Sequence, residues 1–394
     1  MTGLLIILPS PTGAPAAVGP ATRIAGLPLL RRIVLTAARA GLTSVLVPSL
    51  VSELGQLAGT TATVLSTGEP LASRAMRRLV FLPATVIPRA DWLAGLLAMP
   101  LARGRLHVAA GTVCVIDAAD PDAVLGLVAG CRSLDDVVAA LGPRFPESAL
   151  AAGAGGRFAL TAAADLDPAE RWLLRGLIKP NEGFMSRHFE RTVSLAITRR
   201  LCPTRITPNQ MTLVSLAVGF ACAPFFVLPA PGYQVAGALL FLAHSILDGC
   251  DGELARLKFL ESRWGALLDA VGDNTVHSVV FACMALGWSR HTVSAWPLIL
   301  GAVAIASTLA VALVVHGRGM RASTAGGPPT LVSRLADQAV YRDFIYVILI
   351  LGAFGRAWWF LALTAVGAPV FLIVLAWLGR QREYGRVSPT NSSP

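Results

Sequence analysis

Asp248-Gly249-Cys250-Asp251-Gly252-Glu253-Leu254-Ala255-Arg256 and, after eight intervening residues, Gly265-Ala266-Leu267-Leu268-Asp269-Ala270-Val271-Gly272-Asp273 decide how this chain is read. Four carboxylates sit at fixed spacing in a sequence that is 54% hydrophobic and only 14% charged. The segment from Tyr233 to Leu247 is apolar and runs directly into the first two acids. On a helix, Asp248 and Asp251 share a face three residues apart, and Asp269 and Asp273 share one at four. Gly252 and Arg256 then fall on the Asp248 stripe, Ala255 on the Asp251 stripe, and Gly265 one turn before Asp269. Two antiparallel helices joined by a polar turn near Lys258 to Arg263 would bring all four acids to one small volume.

Left empty, that volume is costly. A central membrane Asp costs roughly 2.5–3.5 kcal/mol on insertion scales, so four cost on the order of 10 kcal/mol or more. Two divalent cations, Mg²⁺ or Mn²⁺, remove the penalty, because hard ions prefer carboxylate oxygens and leave positions open for phosphate. Such ions would bridge a diphosphate and stabilise charge on its leaving group. Gly252, Ala255 and Gly265 would let a nucleotide approach the helix backbones, and the planar donor fork of Arg256 suits a phosphate oxygen. A solvated acidic loop is the bland alternative, but a loop has no need of Gly and Ala at helical spacing from its acids.

Composition agrees with a membrane protein: mean hydropathy is +0.63. The formal charge of +10 is carried almost wholly by Arg, with Lys179 and Lys258 the only lysines. A basic, apolar chain suits anionic lipid headgroups and not nucleic acid, although a GC-rich genome produces the same Arg and Ala bias. The six cysteines show no paired or metal-ligand spacing and read as small buried residues in a reducing compartment. The start, Met1 to Leu8, lacks the basic leader of a signal peptide.

The chain is expected to divide into an α/β domain over 1–174, an interfacial amphipathic helix and linker over 175–208, a helical membrane domain over 209–380 and a polar tail over 381–394. Six spans are expected at about 210–230, 233–256, 264–288, 294–316, 340–356 and 357–379. Arg256, Lys258 and Arg263, then Arg318, Arg321 and Arg334, then Arg380, Arg382 and Arg386 all fall on one side. The positive-inside rule makes that side, both termini and the acids cytoplasmic, in a multi-pass protein of the cell (inner) membrane. Between Phe184 and Arg200, apolar Phe184, Phe189, Val193 and Ile197 alternate with Arg187, Arg191, Arg199 and Arg200, which suits a helix in the cytoplasmic interface. Packing on the soluble domain is the other reading. Thr207-Pro208-Asn209 makes a turn and cap before the first span.

The pattern D-x2-D-G-x2-A-R-x8-G-x3-D-x3-D resembles the signature of the CDP-alcohol phosphotransferase family, with every fixed position filled. Lys179-Pro180-Asn181-Glu182-Gly183, Thr207-Pro208-Asn209-Gln210-Met211-Thr212 and Arg342-Asp343 further resemble its di-myo-inositol phosphate phosphate synthase subgroup. The resemblance covers roughly Leu174 to Phe344. It implies transfer of a phosphoalcohol, for example phosphatidyl, from a CDP-alcohol such as CDP-diacylglycerol or a soluble donor to an acceptor hydroxyl, with release of CMP. It further implies a homodimer. Asp248, Asp251 and Asp269 would be metal ligands, with Asp273 near the second ion and also the general base for the acceptor hydroxyl. Arg318, Arg321 and Arg342 would bind acceptor phosphate or simply set topology. His244 and His277, each one turn from an acid, would hydrogen-bond those acids or pack as interior histidines. Asn274 departs from the family, where many relatives carry Arg.

The subgroup often carries a cytidylyltransferase at its N-terminus, and the first 174 residues weakly resemble that fold. Leu4 to Leu8 reads as a buried strand, Gly26-Leu27-Pro28-Leu29-Leu30 leads into a helix ending near Ala40-Gly41, and Thr43 to Val47 reads as a second strand, the opening βαβ of a doubly wound domain. The loop from Pro9 to Arg23 is rich in prolines that remove phosphate-binding donors. Leu29 stands where the active enzymes carry Lys. The strand Leu79 to Ile87 contains no acid, with Ala84 and Thr85 where a metal-binding Asp is expected. The domain therefore reads as catalytically lost. Asp117, Asp120 and Asp122 read as a surface loop more readily than as a metal cluster. Two alternatives stand beside the phosphotransferase: a bifunctional cytidylyltransferase/phosphotransferase of inositol phosphate type, and a non-catalytic membrane scaffold or cation carrier.

Overall fold

The computed structural model describes residues 3–9, 18–42, 44–48, 57–60, 62–65, 78–150, 153–178, 184–325 and 344–387. It falls into two compact units, Met1–Arg175 and Gly176–Pro394.

The first unit is built on a seven-stranded mixed sheet. Its strands are β1 (Gly3–Leu8), β4 (Ser44–Pro48), β5 (Ala62–Leu65), β6 (Arg78–Pro83), β8 (Leu106–Ala109), β9 (Val113–Asp117) and β10 (Glu147–Ala149), in the order β10-β8-β9-β6-β1-β4-β5. β1 pairs in parallel with β4 and β6, and β4 with β5; β9 runs antiparallel to both β6 and β8. All six residues of β1 are buried, the continuous apolar run expected of a strand covered on both faces. Leu4, Ile6 and Leu8 pack in one cluster with Val124 and Val128 of one helix and Val137 and Leu141 of the next. The helix following β1, α1, spans Leu29–Arg39 and buries Leu29, Leu30 and Ile33. The expected βαβ opening is present. The expected continuous strand over Leu79 to Ile87 is not: the chain turns at Ala84 and Thr85 and resumes as β7 (Val86–Pro88), which pairs with β11 (Arg157–Ala159). A short hairpin of β2 (Arg23–Ile24) and β3 (Leu27–Pro28) precedes α1. Residues 10–17 of the proline-rich loop, and Thr43, lie outside the described residues.

Arg78 opens β6 and is 1% exposed. Its Nε and Nη2 donate to Asp117 Oδ1 and Oδ2, both at 2.7 Å, and Nη1 donates to the carbonyls of Leu96, Leu97 and Met99. One guanidinium therefore ties the cross-strand partner Asp117 to the C-terminal end of α2 (Ala90–Ala98). Asp120 caps α3 (Pro121–Val128), accepting from Ala123 N at 3.1 Å. These aspartates thus serve an ion pair and a helix cap. Arg78→Met removes five donated bonds and leaves the largely covered Asp117 carboxylate without its cation, so it is expected to destabilise this unit by about 3–5 kcal/mol. Earlier proteolysis of residues 3–175 in the intact protein checks this. Among the cysteines, burial and then the Glu147 charge push the Cys114 thiol up to about 12, an inert packing group. α4 (Leu134–Leu141), opened by a Ser133–Asp136 capping box, and α5 (Leu166–Arg175) complete the unit.

The second unit is helical. A π-helical turn at Ser186–Glu190 leads into α6 (Arg191–Leu201). α7 (Pro208–Cys222) starts with Pro208 at its first turn and a capping box: Thr207 Oγ1 accepts from Gln210 N, and Thr207 N donates to Gln210 Oε1. α8 (Pro231–Lys258) ends at Phe259 in left-handed conformation, and α9 (Arg263–Thr292) starts at the Ser262 cap. α10 (Trp296–Ala325), α11 (Phe344–Ala353) and α12 (Trp358–Val387) follow. The apolar core gathers Phe226, Phe241, Val276, Val280, Ile348 and Leu361. Buried Gln234 accepts from Ala357 N at 2.8 Å, and Trp358 Nε1 donates to Phe226 O at 2.8 Å, tying α8 and the turn after α7 to the start of α12.

Pro208–Val227, Pro231–Lys258 and Trp296–Val315 are long and apolar enough to cross a membrane. α11 and Trp358–Val374 are shorter apolar helices, and residues 340–343 of the expected fifth span lie outside the described residues.

Candidate metal centre and cavity

α8 and α9 place the four acids. The tight turn from Phe259 to Ser262 reverses the chain, so the C-terminal half of α8 faces the N-terminal half of α9. Carboxylate oxygens of Asp248, Asp251 and Asp269 lie within 4.8 Å of one another. Asp248 and Asp251 are each 5% exposed. Oδ1 of Asp269 is buried and accepts no hydrogen bond, an arrangement a buried carboxylate tolerates poorly without a cation. Three hard oxygen donors converging from two helices suit Mg²⁺ or Mn²⁺.

Asp273 lies one turn further along α9, outside that trio. Its Oδ1 faces His244 Nε2 at 3.5 Å, while His244 Nδ1 lies 2.9 Å from the Ser215 carbonyl on α7. Sequence spacing puts His244 beside Asp248 of its own helix; the fold aims it across at Asp273. His277 meets Phe241 and Phe344 edge-on, at 5.4 Å and 5.9 Å. Asn274 donates to the Ala270 carbonyl of its own helix at 2.7 Å.

Beside the trio opens a cavity of about 210 Å³, lined by Asp251, Gly252, Ala255, Arg256, Gly265 and Asp269 and by Pro208, Asn209 and Thr212 of α7. A Cβ on Gly265 would stand 3.0 Å from Asn209 Oδ1 and Ser262 Oγ, and one on Gly252 would stand 3.3 Å from Arg256 Nη1. Both glycines keep the cavity open where helix backbones form its wall. Gly265→Val is therefore expected to fill it and raise the KM for a nucleotide donor by at least about tenfold, the value of losing roughly 1.4 kcal/mol of contact. Steady-state kinetics across donor concentrations checks it.

Two further residues near the site make contacts between helices. Thr212 Oγ1 donates to Asp251 Oδ2. Glu253, fully buried, accepts from Arg191 Nη1 at 2.8 Å, Ser194 Oγ at 2.7 Å and Thr198 Oγ1 at 2.6 Å, fastening α6 to α8. The buried stripe of α6 is thus polar, while Phe184 and Phe189 are 72% and 47% exposed. Of the expected acceptor residues, Arg342 lies outside the described residues, as do the side chains of Arg318 and Arg321 on α10.

Residues 205–366 match the family described as CDP-alcohol phosphatidyltransferase. A bifunctional IPC transferase and DIPP synthase of Archaeoglobus fulgidus is 36% identical over 147 residues, covering 36% of this chain and 29% of that protein. A protein of the same name from Rubrobacter xylanophilus is 34% identical over 190 residues, 48% of this chain and 40% of its own length. The alignments thus span less than half of either relative. A crystal structure of Mycobacterium tuberculosis phosphatidylinositol phosphate synthase with CDP-DAG bound shares 22% identity over 47% of this chain and 94% of that one, with a TM-score of 0.34. The likeness to the CDP-alcohol phosphatidyltransferase family thus rests on residues 205–366, the stretch that holds all four acids.

Proposed function

We propose that this chain is a membrane enzyme that transfers a phosphoalcohol, for example phosphatidyl, from a CDP-alcohol to an acceptor hydroxyl and releases CMP. The observation that carries the reading is the convergence of Asp248, Asp251 and Asp269 within 4.8 Å beside a cavity walled by glycine. Those three acids, with Asp273 near a second ion, would hold two Mg²⁺ or Mn²⁺. Such ions supply Lewis-acid stabilisation of negative charge on a diphosphate.

The chain's own residues do the rest. Gly252, Ala255 and Gly265 admit the nucleotide, and Arg256 offers its guanidinium to a phosphate oxygen. Asp273 takes the proton of the acceptor hydroxyl. The freed oxygen then forms a new bond to the phosphorus that bears the donor alcohol. The bond from that phosphorus to the bridging diphosphate oxygen breaks, and CMP departs with the electron pair.

Six spans in the membrane, with both termini and the acids on the cytoplasmic side, would place this site at the headgroup level. The arginines flanking the α8–α9 turn support that orientation. Exposed Phe184 and Phe189 beside Arg187 suit contact with the cytoplasmic interface, and homodimerisation remains part of the proposal by resemblance. The unit spanning 1–174 would be a nucleotidyltransferase-like domain without catalysis. Its β6 and the following turn present Pro83, Ala84 and Thr85 where a ligating acid would be needed.

The test is CMP release by purified protein in lipid with Mg²⁺ or Mn²⁺, offering CDP-diacylglycerol and CDP-inositol with a panel of alcohols. Supplying CTP and inositol phosphate to the same protein should give no pyrophosphate; its appearance would favour the bifunctional reading. Ion flux without CMP would favour a carrier.

A further inference from the structure

We propose that Thr212 is a positioning residue for Asp251, setting the carboxylate's rotation and thereby the affinity of the acidic trio for its cation; this rests on the metal-dependent reading above. Thr212 lies on α7, which contributes no acid to the trio. It is 3% exposed, lines the cavity, and donates from Oγ1 to Asp251 Oδ2. The same hydroxyl lies 3.3 Å from the Pro208 carbonyl one turn back. A hydroxyl has one proton to donate, and a carboxylate is the stronger acceptor, so the bond to Asp251 takes it.

Three features make this contact an aimed one. Thr is β-branched and therefore restricted about χ1. α7 packs closely against α9: a Cβ on Gly272 would stand 2.6 Å from Leu216 Cδ1, so the two helices approach each other where the glycine leaves room. α7 is held at its start as well, where the capping box at Thr207 and the Lys258 ammonium, donating to the Thr204 and Ile206 carbonyls at 2.9 Å each, fix the approach to Pro208.

An aspartate has a broad, two-fold χ2 preference. Without the Thr212 bond, the Asp251 carboxylate would be freer to turn away from Asp248 and Asp269. A partner that orients a ligating carboxylate changes metal affinity by about 10–100-fold when removed. Thr212 would act through Asp251 and need not touch the donor.

The experiment measures Mn²⁺ binding directly, by electron paramagnetic resonance of free Mn²⁺ against full-length protein in lipid, alongside the Mn²⁺ concentration that half-activates CMP release. Thr212→Val keeps the branched shape and loses the hydroxyl; Thr212→Ser keeps the hydroxyl and loses the methyl. The expected result is Mn²⁺ binding weakened about 10–100-fold in Thr212→Val, near-wild-type binding in Thr212→Ser, and the same shift in the activation curve. Should Thr212→Val fail to fold, Thr212→Ala against Thr212→Ser makes the same comparison. Unchanged Mn²⁺ binding in the hydroxyl-free variant, with Asp251→Asn abolishing it, overturns the role of Thr212 and leaves the metal site standing. A wild type that binds no Mn²⁺ overturns both.

Discussion

Asp273→Asn is expected to lower the rate of CMP release by about 10²–10⁴-fold, the range a positioned general base contributes, while the trio still binds a cation. The geometry separates the two properties. Asp248, Asp251 and Asp269 share a volume 4.8 Å across, whereas Asp273 stands one turn away and faces His244 at 3.5 Å. Asparagine keeps the shape of the side chain but cannot accept a proton from an alcohol. Asp269→Asn should behave differently, because it removes a ligand whose buried Oδ1 has no other partner; Mn²⁺ binding and rate should fall together. Binding measurements paired with single-turnover kinetics distinguish the two variants. Loss of Mn²⁺ binding in both, with equal loss of rate, would place Asp273 among the primary ligands and remove the case for it as a base.

Glu253→Ala carries the second large effect, and it acts on stability. Glu253 is fully buried and answers three donors from α6, those of Arg191, Ser194 and Thr198. Removing the carboxylate takes away the acceptor that all three donors share, which is expected to cost about 3–5 kcal/mol. Glu253→Gln should cost less, since the amide oxygen still accepts while its NH₂ meets a donor. Hydrogen exchange over residues 191–201 is the local readout: α6 should lose protection in the alanine variant before α8 does. Protection of α6 equal to wild type would show that apolar contacts, not this carboxylate, hold the helix.

The acids were legible because their spacing carries both the helix and the turn. Three and four residues apart, they share faces, and the polar stretch between Lys258 and Arg263 marks the reversal that the Phe259 left-handed cap and the Ser262 N-cap carry out. The opening of the α/β unit was equally legible, since Leu4 to Leu8 is a continuous apolar run bounded by a proline. Other features were not. The partners of α6 were among them: Ser194 and Thr198 turn inward to Glu253 on α8, a contact set by how two helices pack and not by hydropathy periodicity, while Phe184 and Phe189 are exposed, in keeping with an interfacial helix. The contacts of Thr212 and His244 were hidden for a related reason. Their partners, Asp251 and Asp273, lie on other helices, so the contacts depend on how α7, α8 and α9 pack and not on spacing within one element. The expected strand breaks at Ala84 and Thr85, where the chain turns after its last bond to β1, from Ala84 N–H to the Leu8 carbonyl at 2.9 Å.

The most direct test of a metal-dependent phosphoalcohol transfer is one titration. Purified protein in lipid, stripped of metal, receives CDP-diacylglycerol and an alcohol panel, and CMP and the new phosphodiester are quantified together as Mg²⁺ or Mn²⁺ is added. The account predicts no product without metal, then CMP and phosphodiester in equal amounts that saturate with the ion; with a soluble donor such as CDP-inositol in place of the lipid, the same stoichiometry identifies the donor instead. Stoichiometric product in the presence of chelator, or folded protein that binds Mn²⁺ and releases no CMP from any donor, would contradict it.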